Sequence, residues 1–450
     1  MATWCLLKMP SSLSVSICRA LKSRIQQLFT DETRRQIMVS IASLASAGMI
    51  SVAIRFIGGI IQGYFIGPEL LGYYTKFTIL PGYMFFLHLG VFTSLARQYP
   101  YLIGKGEREE ALSYAANAQG WTIILCAVHA VTFLVPCLWA AVHGDYYAAM
   151  GWGAQVVLTN VSLYMFYLGS TYRSSSEFVA WSKGSIISSI ASFLLLPLVI
   201  FFQFIGICFR YTIPDVISMI YAHQHRPLRI LPRVDRMVLR KMILFGAPLM
   251  VFAYISTPLW TAIERSYILK MLGEKPLGIF AFAGSLYAAL HMVATSISQV
   301  FHPRIAMLYG SSGKNMKTSF YYCIKCSLVG LIMMLPVVAL AHWLIAPLVE
   351  WFVPKYVECI PIARCLFWLT LIPVIDLPKQ LLIVAKKIKQ FGISIILSFT
   401  LFLTLLAIYA FSADNITLLK IVIASVLCKL ISVFISNVFS WHIARSESPS

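Results

Sequence analysis

Seven positions in the first apolar stretch of the chain carry its most suggestive chemistry. Ser40, Ser43, Ala47, Ser51, Arg55, Gly58 and Gln62 are spaced 3, 4, 4, 4, 3 and 4 residues apart, which puts them on one face of an α-helix. Ile41, Ile50, Ile54, Ile57 and Ile61 fall off that face. A stripe of small and polar side chains around one guanidinium offers hydrogen-bond donors and a fixed positive charge, the equipment for holding an anion. Two hundred and six residues later Thr257, Thr261 and Glu264 take the positions of Ser51, Arg55 and Gly58, with Arg265 alongside.

Other charges share this apolar setting. Arg55, Lys76, Arg265, Lys325, Arg364, Lys379, Lys420 and Lys429 fall inside apolar segments, against only Asp215, Glu264 and Asp376. A charge in a bilayer costs at least about 2.5–3.5 kcal/mol, so it normally faces protein or water. A cavity lined by this set is positive and attracts an anion. The candidate substrate-binding residues are Arg55, Ser51, Gln62, Lys76, Thr261, Glu264, Arg265 and Arg364, with Glu264 and Asp376 as candidates for ion coupling. For Lys325, Lys379, Lys420 and Lys429 the alternative is snorkelling to the interface, and for Glu264 and Arg265 it is local pairing.

The elements that must position these residues are membrane spans. The chain is 59% hydrophobic and 12% charged, with a mean hydropathy of +0.79, whereas soluble domains carry roughly 25% charged residues. Apolar runs near the roughly 20 residues a spanning helix needs recur about twelve times, at 37–63, 71–96, 113–140, 146–170, 179–201, 204–222, 242–270, 281–308, 318–346, 357–384, 390–412 and 416–441. The expected fold is all-α, a polytopic membrane protein. Spans five and six are the hardest to separate, because "FFQFIGICFRYTIPDVISMIY" has no clear loop and Arg210 falls inside it.

Basic loops stay on the cytoplasmic side. Twenty-four Lys and Arg residues fall in the two tails and the even-numbered loops, six of them in the loop after span six, against Arg210, Lys270, Lys275 and Lys355 in the opposite loops. Both termini are therefore expected in the cytoplasm. The same asymmetry accounts for the formal charge of +19 by attraction to an anionic membrane surface, without nucleic acid as a partner.

Residues 13–29 place Leu13, Ile17, Leu21, Ile25 and Leu28 at helical spacing beside Arg19, Lys22 and Arg24. They read as an interfacial amphipathic helix or as a basic tail, and not as a cleavable signal. The ten cysteines read as free thiols. Cys323 and Cys326 form the one close pair, without the second pair or histidines of a zinc site. No metal or cofactor is expected. Nor is an enzyme, since no nucleophile–base arrangement, P-loop or large loop stands out.

The chain also repeats itself. At an offset of 206 residues Arg35 matches Lys241, Gly67, Leu71 and Gly72 match Gly273, Leu277 and Gly278, and Gly104 matches Gly310. Six spans per copy make both copies enter the membrane in the same direction, a parallel repeat of the kind found in secondary transporters. The expected organisation is a basic N-terminal segment (1–36), a six-helix half (37–222), a basic linker (223–241), a second six-helix half (242–441) and a tail (442–450).

The stretch "IRFIGGIIQGYFIGPELLGYY", followed by "PGYMFFLHLGVFTSLARQYPYLIGKGEREEA", resembles the first two helices of the Wzx-like polysaccharide flippases, a branch of the multidrug/oligosaccharidyl-lipid/polysaccharide (MOP) superfamily. "FGAPLM" and "ERSYILKMLGEKPLGIF" in the second half are similar to that family's pattern, with Glu264 where Asp is more usual and Tyr64-Phe65 where many relatives have Ala-Arg. The resemblance implies a MOP/MATE-like fold. It also implies a transporter that flips undecaprenyl-diphosphate-linked oligosaccharide across a bacterial inner membrane by alternating access, among membrane lipids and with a polysaccharide polymerase and chain-length protein as partners. Arg and Lys would meet the diphosphate with charge-assisted bonds. The alternatives are a MATE-type drug or cation antiporter of the same superfamily, for which an anionic cavity is expected, and a membrane glycosyltransferase or polymerase.

Overall fold

A computed structural model describes residues 31–175, 177–311, 315–385, 387–411 and 416–446, with side chains described from residue 48 onward apart from a few scattered positions. The proposed amphipathic helix at 13–29 lies outside these residues, as do the side chains of Ser40, Ser43 and Ala47.

The described chain is helical throughout, without a strand. The first half comprises α1 (Asp31–Phe65), α2 (Pro68–Phe77), α3 (Ile79–Met84), α4 (Val91–Lys105), α5 (Arg108–Val142), α6 (Tyr146–Ser174), α7 (Phe178–Leu194) and α8 (Leu196–Gln224). The second comprises α9 (Arg236–Tyr254), α10 (Trp260–Leu272), α11 (Glu274–Ser311), α12 (Met316–Phe352), α13 (Cys359–Trp368), α14 (Ile372–Ile375), α15 (Leu377–Val384), α16 (Ile388–Phe411) and α17 (Leu418–Ser446). Short 3-10 turns and one π-helical turn, Ile255–Leu259, join some of them. That π turn contains Pro258, whose missing N–H loosens the ladder between α9 and α10.

Eight helices among the described residues are long and apolar enough to cross a membrane, or ten if each of two bent pairs forms one span. This is fewer than the expected twelve, and the difference lies in α6 and α7, which occupy expected spans four and five. α7 has 17 residues, about 25 Å of rise against a hydrocarbon core of about 30 Å. Four of its serines, Ser182, Ser188, Ser189 and Ser192, are buried, so their polarity faces protein. α6 likewise buries Gln155 and Thr159. Elsewhere large apolar side chains such as Trp343, Trp351, Phe411 and Phe434 are 70–91% exposed, as expected of faces that meet lipid.

The boundary between spans five and six falls at Gln203, whose φ of 48° and ψ of −112° break the helix inside α8. The chain folds back there, because a Cβ on Gly206 would collide with the carbonyl of Leu198, a neighbour unreachable along a straight helix. Arg210, expected in an external loop, instead lies two turns into the returning helix and is only 3% exposed. The expected spans 179–201 and 204–222 part at Gln203, but the unbroken apolar pattern around Arg210 gave no sign that it lies on the returning helix.

The repeat has a direct structural counterpart. α2 begins, and the bent segment containing it ends, 206 residues before the start and end of α11. The turns before them differ in detail. Gly273 has a φ of 92°, a conformation that favours glycine, whereas Gly67 has an ordinary extended backbone. The bend in the first copy is built by His88-Leu89-Gly90. Leu89 and Gly90 are left-handed (φ 47° and 78°), and the Gly90 N–H donates to His88 Nδ1 at 3.1 Å.

Glycines let the halves approach each other. A Cβ on Gly72 would collide with the Glu274 carbonyl, and one on Gly278 with the Pro68 carbonyl. Gly90 and Gly246 exclude side chains from each other in the same way. Around the Gly72–Gly278 contact one apolar core joins Ile66, Leu71 and Phe77 to Leu277, Phe282 and Tyr356, and so spans both halves.

Candidate functional site

A cavity of about 470 Å³ lies beside this shared core, walled by α1, α2, α7, α8, α10 and α11. Three guanidinium groups line it: Arg55, Arg210 and Arg265. No carboxylate is among its described lining residues. Gln62, Thr75, Thr78, Ser192 and Ser285 add neutral polar groups, and Phe56, Tyr74, Tyr211 and Phe282 add aromatic walls. Tyr74 stacks on Tyr211, with ring centroids 5.1 Å apart.

Each arginine is held by a different part of the bundle. Arg55 donates from Nε to Ser189 (3.1 Å) and from Nη2 to Ser188 (2.9 Å) on α7. The Ser188 hydroxyl in turn donates to Asp215 at 3.2 Å. Arg210 donates from Nε to the Ser192 backbone carbonyl at 3.1 Å and from Nη1 to the Gln62 side-chain Oε1. Arg265, on the other half of the molecule, reaches across to donate from Nη1 to Thr78 at 3.0 Å. Its Nε has no hydrogen-bond partner. Each guanidinium carries five N–H donors, so all three retain donors for a ligand.

The stripe on α1 faces mainly into its own half and only partly into the cavity. Ser51 is buried against Ser185 at 3.3 Å, and the space left by the absent side chain of Gly58 is filled by Arg210 Nη2. The α1 wall of the cavity is an adjoining face, Val52, Phe56, Gly59 and Gly63, with Arg55 and Gln62 at its edge. The correction to the sequence expectation has a simple cause. Helical spacing identifies a polar face but not its neighbour, and here that neighbour is the serine-rich α7.

Of the expected binding residues, Arg55, Gln62 and Arg265 meet in the cavity, joined by Arg210. Lys76 points elsewhere, pairing with Glu274 at 2.8 Å and lying 3.5 Å from the Tyr73 ring centroid. Arg364 donates to the His342 carbonyl at 3.2 Å on the flank of the second half. Thr261 is half-buried on α10 and lines neither this cavity nor the next. Glu264, beside Arg265 in sequence, is 2% exposed and faces the charge of Lys429, away from the cavity. Arg210 escaped the sequence reading because it was assigned to a loop, although a cation inside an unbroken apolar run was itself a usable signal.

Asp376 lines a second, smaller cavity of about 230 Å³ within the second half, with Lys379, Lys429, His291 and Thr257. It pairs with Lys379 at 2.9 Å and accepts from Ser436 at 2.8 Å. Cys323 and Cys326 are buried free thiols. No group of three or more His, Cys, Asp or Glu side chains suited to a metal ion occurs among the described residues.

No family model and no curated protein matches the chain. Solved structures do. It is similar to a multidrug-resistance MATE family transporter of the MOP superfamily in an inward-facing conformation, with a TM-score of 0.66 at 14% identity over 90% of this chain and 98% of that one. An outward-facing conformation of a MATE family transporter of the MOP superfamily gives 0.60 at 16% identity over 90% and 96%. A MOP superfamily transporter from Pyrococcus furiosus, described as having a binding pocket of reverse polarity that suggests a different function, gives 0.62 at 15% over 91% and 96%. The fold is therefore that of the MATE transporters of the MOP superfamily. At such identities the likeness is one of fold.

Proposed function

We propose that this chain is a MATE-type secondary transporter that carries an anionic cargo across a bacterial inner membrane by alternating access. The observation that carries the reading is the cavity: three arginines, contributed by both halves, converge on it without a carboxylate among its described lining. Such a site favours phosphate or carboxylate groups and opposes a cationic drug. The inward- and outward-facing conformations of the matching MATE folds support alternating access, and the excess of Lys and Arg in the tails and the linker favours the cytoplasmic side for them.

A second reading, flipping of a diphosphate-linked oligosaccharide, is favoured by the same arginines, because a diphosphate can engage several guanidinium forks at once. The MATE-type reading stands ahead of it because the matching folds are MATE transporters.

The experiment is a thermal-shift and binding assay on the purified full-length protein with pyrophosphate and with ethidium as a cationic probe. Pyrophosphate is expected to stabilise the protein, an effect lost in Arg210→Ala and Arg265→Ala. Stabilisation by ethidium alone would sink the anionic reading. Transport of a soluble anion or of a lipid-linked oligosaccharide into proteoliposomes then separates the two cargo classes.

A further inference from the structure

The segment between α8 and α9 is an extended strap fastened to the first half. The Arg233 N–H donates to the Ala116 carbonyl at 3.0 Å, and the Asp235 N–H donates to the Asn117 side-chain oxygen. A Cβ on Gly120 would collide with the Arg233 carbonyl, so α5 is cut away to seat the strap. Leu228 and Ile230 pack inward against the core of this half. Because side chains alternate along extended backbone, Arg229 and Leu231 then point outward.

The outward face is amphiphilic in an unusual way. Leu231 is 87% exposed and Met237 76%, interleaved with exposed Arg229, Arg233, Arg236, Arg240 and Lys241, while Val234 lies against α5 beside Gly120. None of these five cations belongs to an ion pair among the described residues. The strap joins the end of the returning part of α8, within the apolar segment Leu196–Gln224, to the start of the next such segment, Arg236–Leu272, so it lies where the apolar slab meets water. Exposed leucine and methionine between arginines suit neither water nor hydrocarbon alone. They suit the boundary, where apolar side chains enter the acyl region and guanidiniums meet phosphates.

We propose that residues 229–241 form a binding site for the headgroups of anionic phospholipids. The cations meet the lipid phosphates while Leu231 and Met237 insert beneath them. The hydrogen bonds to Ala116 and Asn117 fix the strap before lipid arrives, so little ordering accompanies binding. Since the strap is fastened to the first half and leads directly into α9 of the second, the bound lipid sits at the covalent junction of the two halves.

The test uses the full-length protein in nanodiscs of phosphatidylcholine with or without phosphatidylglycerol, with hydrogen exchange over residues 227–237 and native mass spectrometry of retained lipid as readouts. Phosphatidylglycerol is expected to be retained and to slow exchange in the strap, and both effects should fade as salt rises. Replacing three cations (Arg229→Gln, Arg233→Gln, Arg236→Gln) should weaken phosphatidylglycerol binding roughly 100-fold at low salt, about fivefold per contact. Its unfolding temperature in detergent, measured alongside, should match the wild type and shows that the fold is intact. Leu231→Ser with Met237→Ser should lower lipid retention at unchanged charge.

Equal retention of both lipids by the wild type would overturn the proposal. So would protection of the strap by inorganic phosphate in a pure phosphatidylcholine disc, or unchanged phosphatidylglycerol binding in the triple variant. Protection that requires an added soluble protein would assign the surface to a protein partner instead.

Discussion

Gly72 and Gly278, 206 residues apart, lie against each other where α2 crosses α11, each against the backbone that begins the opposite helix. Gly72 meets the carbonyl of Glu274, and Gly278 meets that of Pro68. Glu274 is itself 206 residues beyond Pro68, so the two contacts are the same contact made twice, as a two-fold axis through this crossing would produce. The same two helices wall the cavity with Leu71, Tyr74, Ala281 and Phe282.

Substituting Ala at either glycine forces the helices apart, because the obstructing atoms are backbone and cannot rotate away. Gly72→Ala and Gly278→Ala should each destabilise this close crossing by about 1–3 kcal/mol, the usual cost of overpacking. Spin labels on α2 and α11 near the crossing should report a longer mean distance in both variants. Distances unchanged from wild type would show that the crossing is not tightly constrained.

Lys76 and Glu274 tie the same two helices together one turn away. Both are partly exposed (27% and 40%), so their coupling in a double-mutant cycle should be only about 0.2–1 kcal/mol. Lys76→Glu should raise reagent access to cysteines placed at this end, and adding Glu274→Lys should restore protection. Anion affinity in the cavity should change little, since Lys76 does not line it.

Arg210→Ala removes the donor to both Gln62 and the Ser192 carbonyl. Each stranded acceptor should cost about 1–3 kcal/mol, read as a lower unfolding midpoint in detergent, and pyrophosphate binding should fall as well. Gln62→Ala should reproduce part of the binding loss by releasing Arg210 from its place. Wild-type binding in both variants would remove Arg210 from the site.

Arg55→Ala should weaken pyrophosphate binding by roughly 10- to 100-fold, the loss of one charge-assisted bond worth about 1.5–3 kcal/mol, with expression and insertion maintained. Arg55→Lys should recover part of the affinity. Its single ammonium keeps the charge but not the fork that spans Ser188 and Ser189. Full transport by Arg55→Ala in proteoliposomes would argue against a role in the site.

Lys379→Met leaves the buried Asp376 carboxylate with Ser436 but without its cation, and should destabilise the protein by about 3–5 kcal/mol. Adding Asp376→Asn should return most of that stability. Thermal unfolding of the two variants decides this. An additive loss in the double variant would mean that the pair does not act as a unit.

Features that depend on local composition and on repetition were legible from the order of residues alone. Long apolar runs announced helices in a membrane because a lipid-facing backbone must satisfy its own hydrogen bonds. Of the repeat's glycines, Gly72 and Gly278 marked equivalent positions because glycine is needed where two backbones touch, as theirs do. Arg55, Gln62 and Arg265 were also legible as polar groups on apolar helices. Which faces meet which was decided only by the tertiary structure. The stripe containing Ser51 and Gly58 turned toward α7 and α8, Lys76 toward Glu274, and Arg210 moved from an expected loop into the cavity. Helical periodicity fixes the angle of a side chain about its own axis and nothing about the helix opposite. That partner is selected by close packing and by the matching of buried donors with acceptors between residues far apart in the chain, such as Arg210 with Gln62.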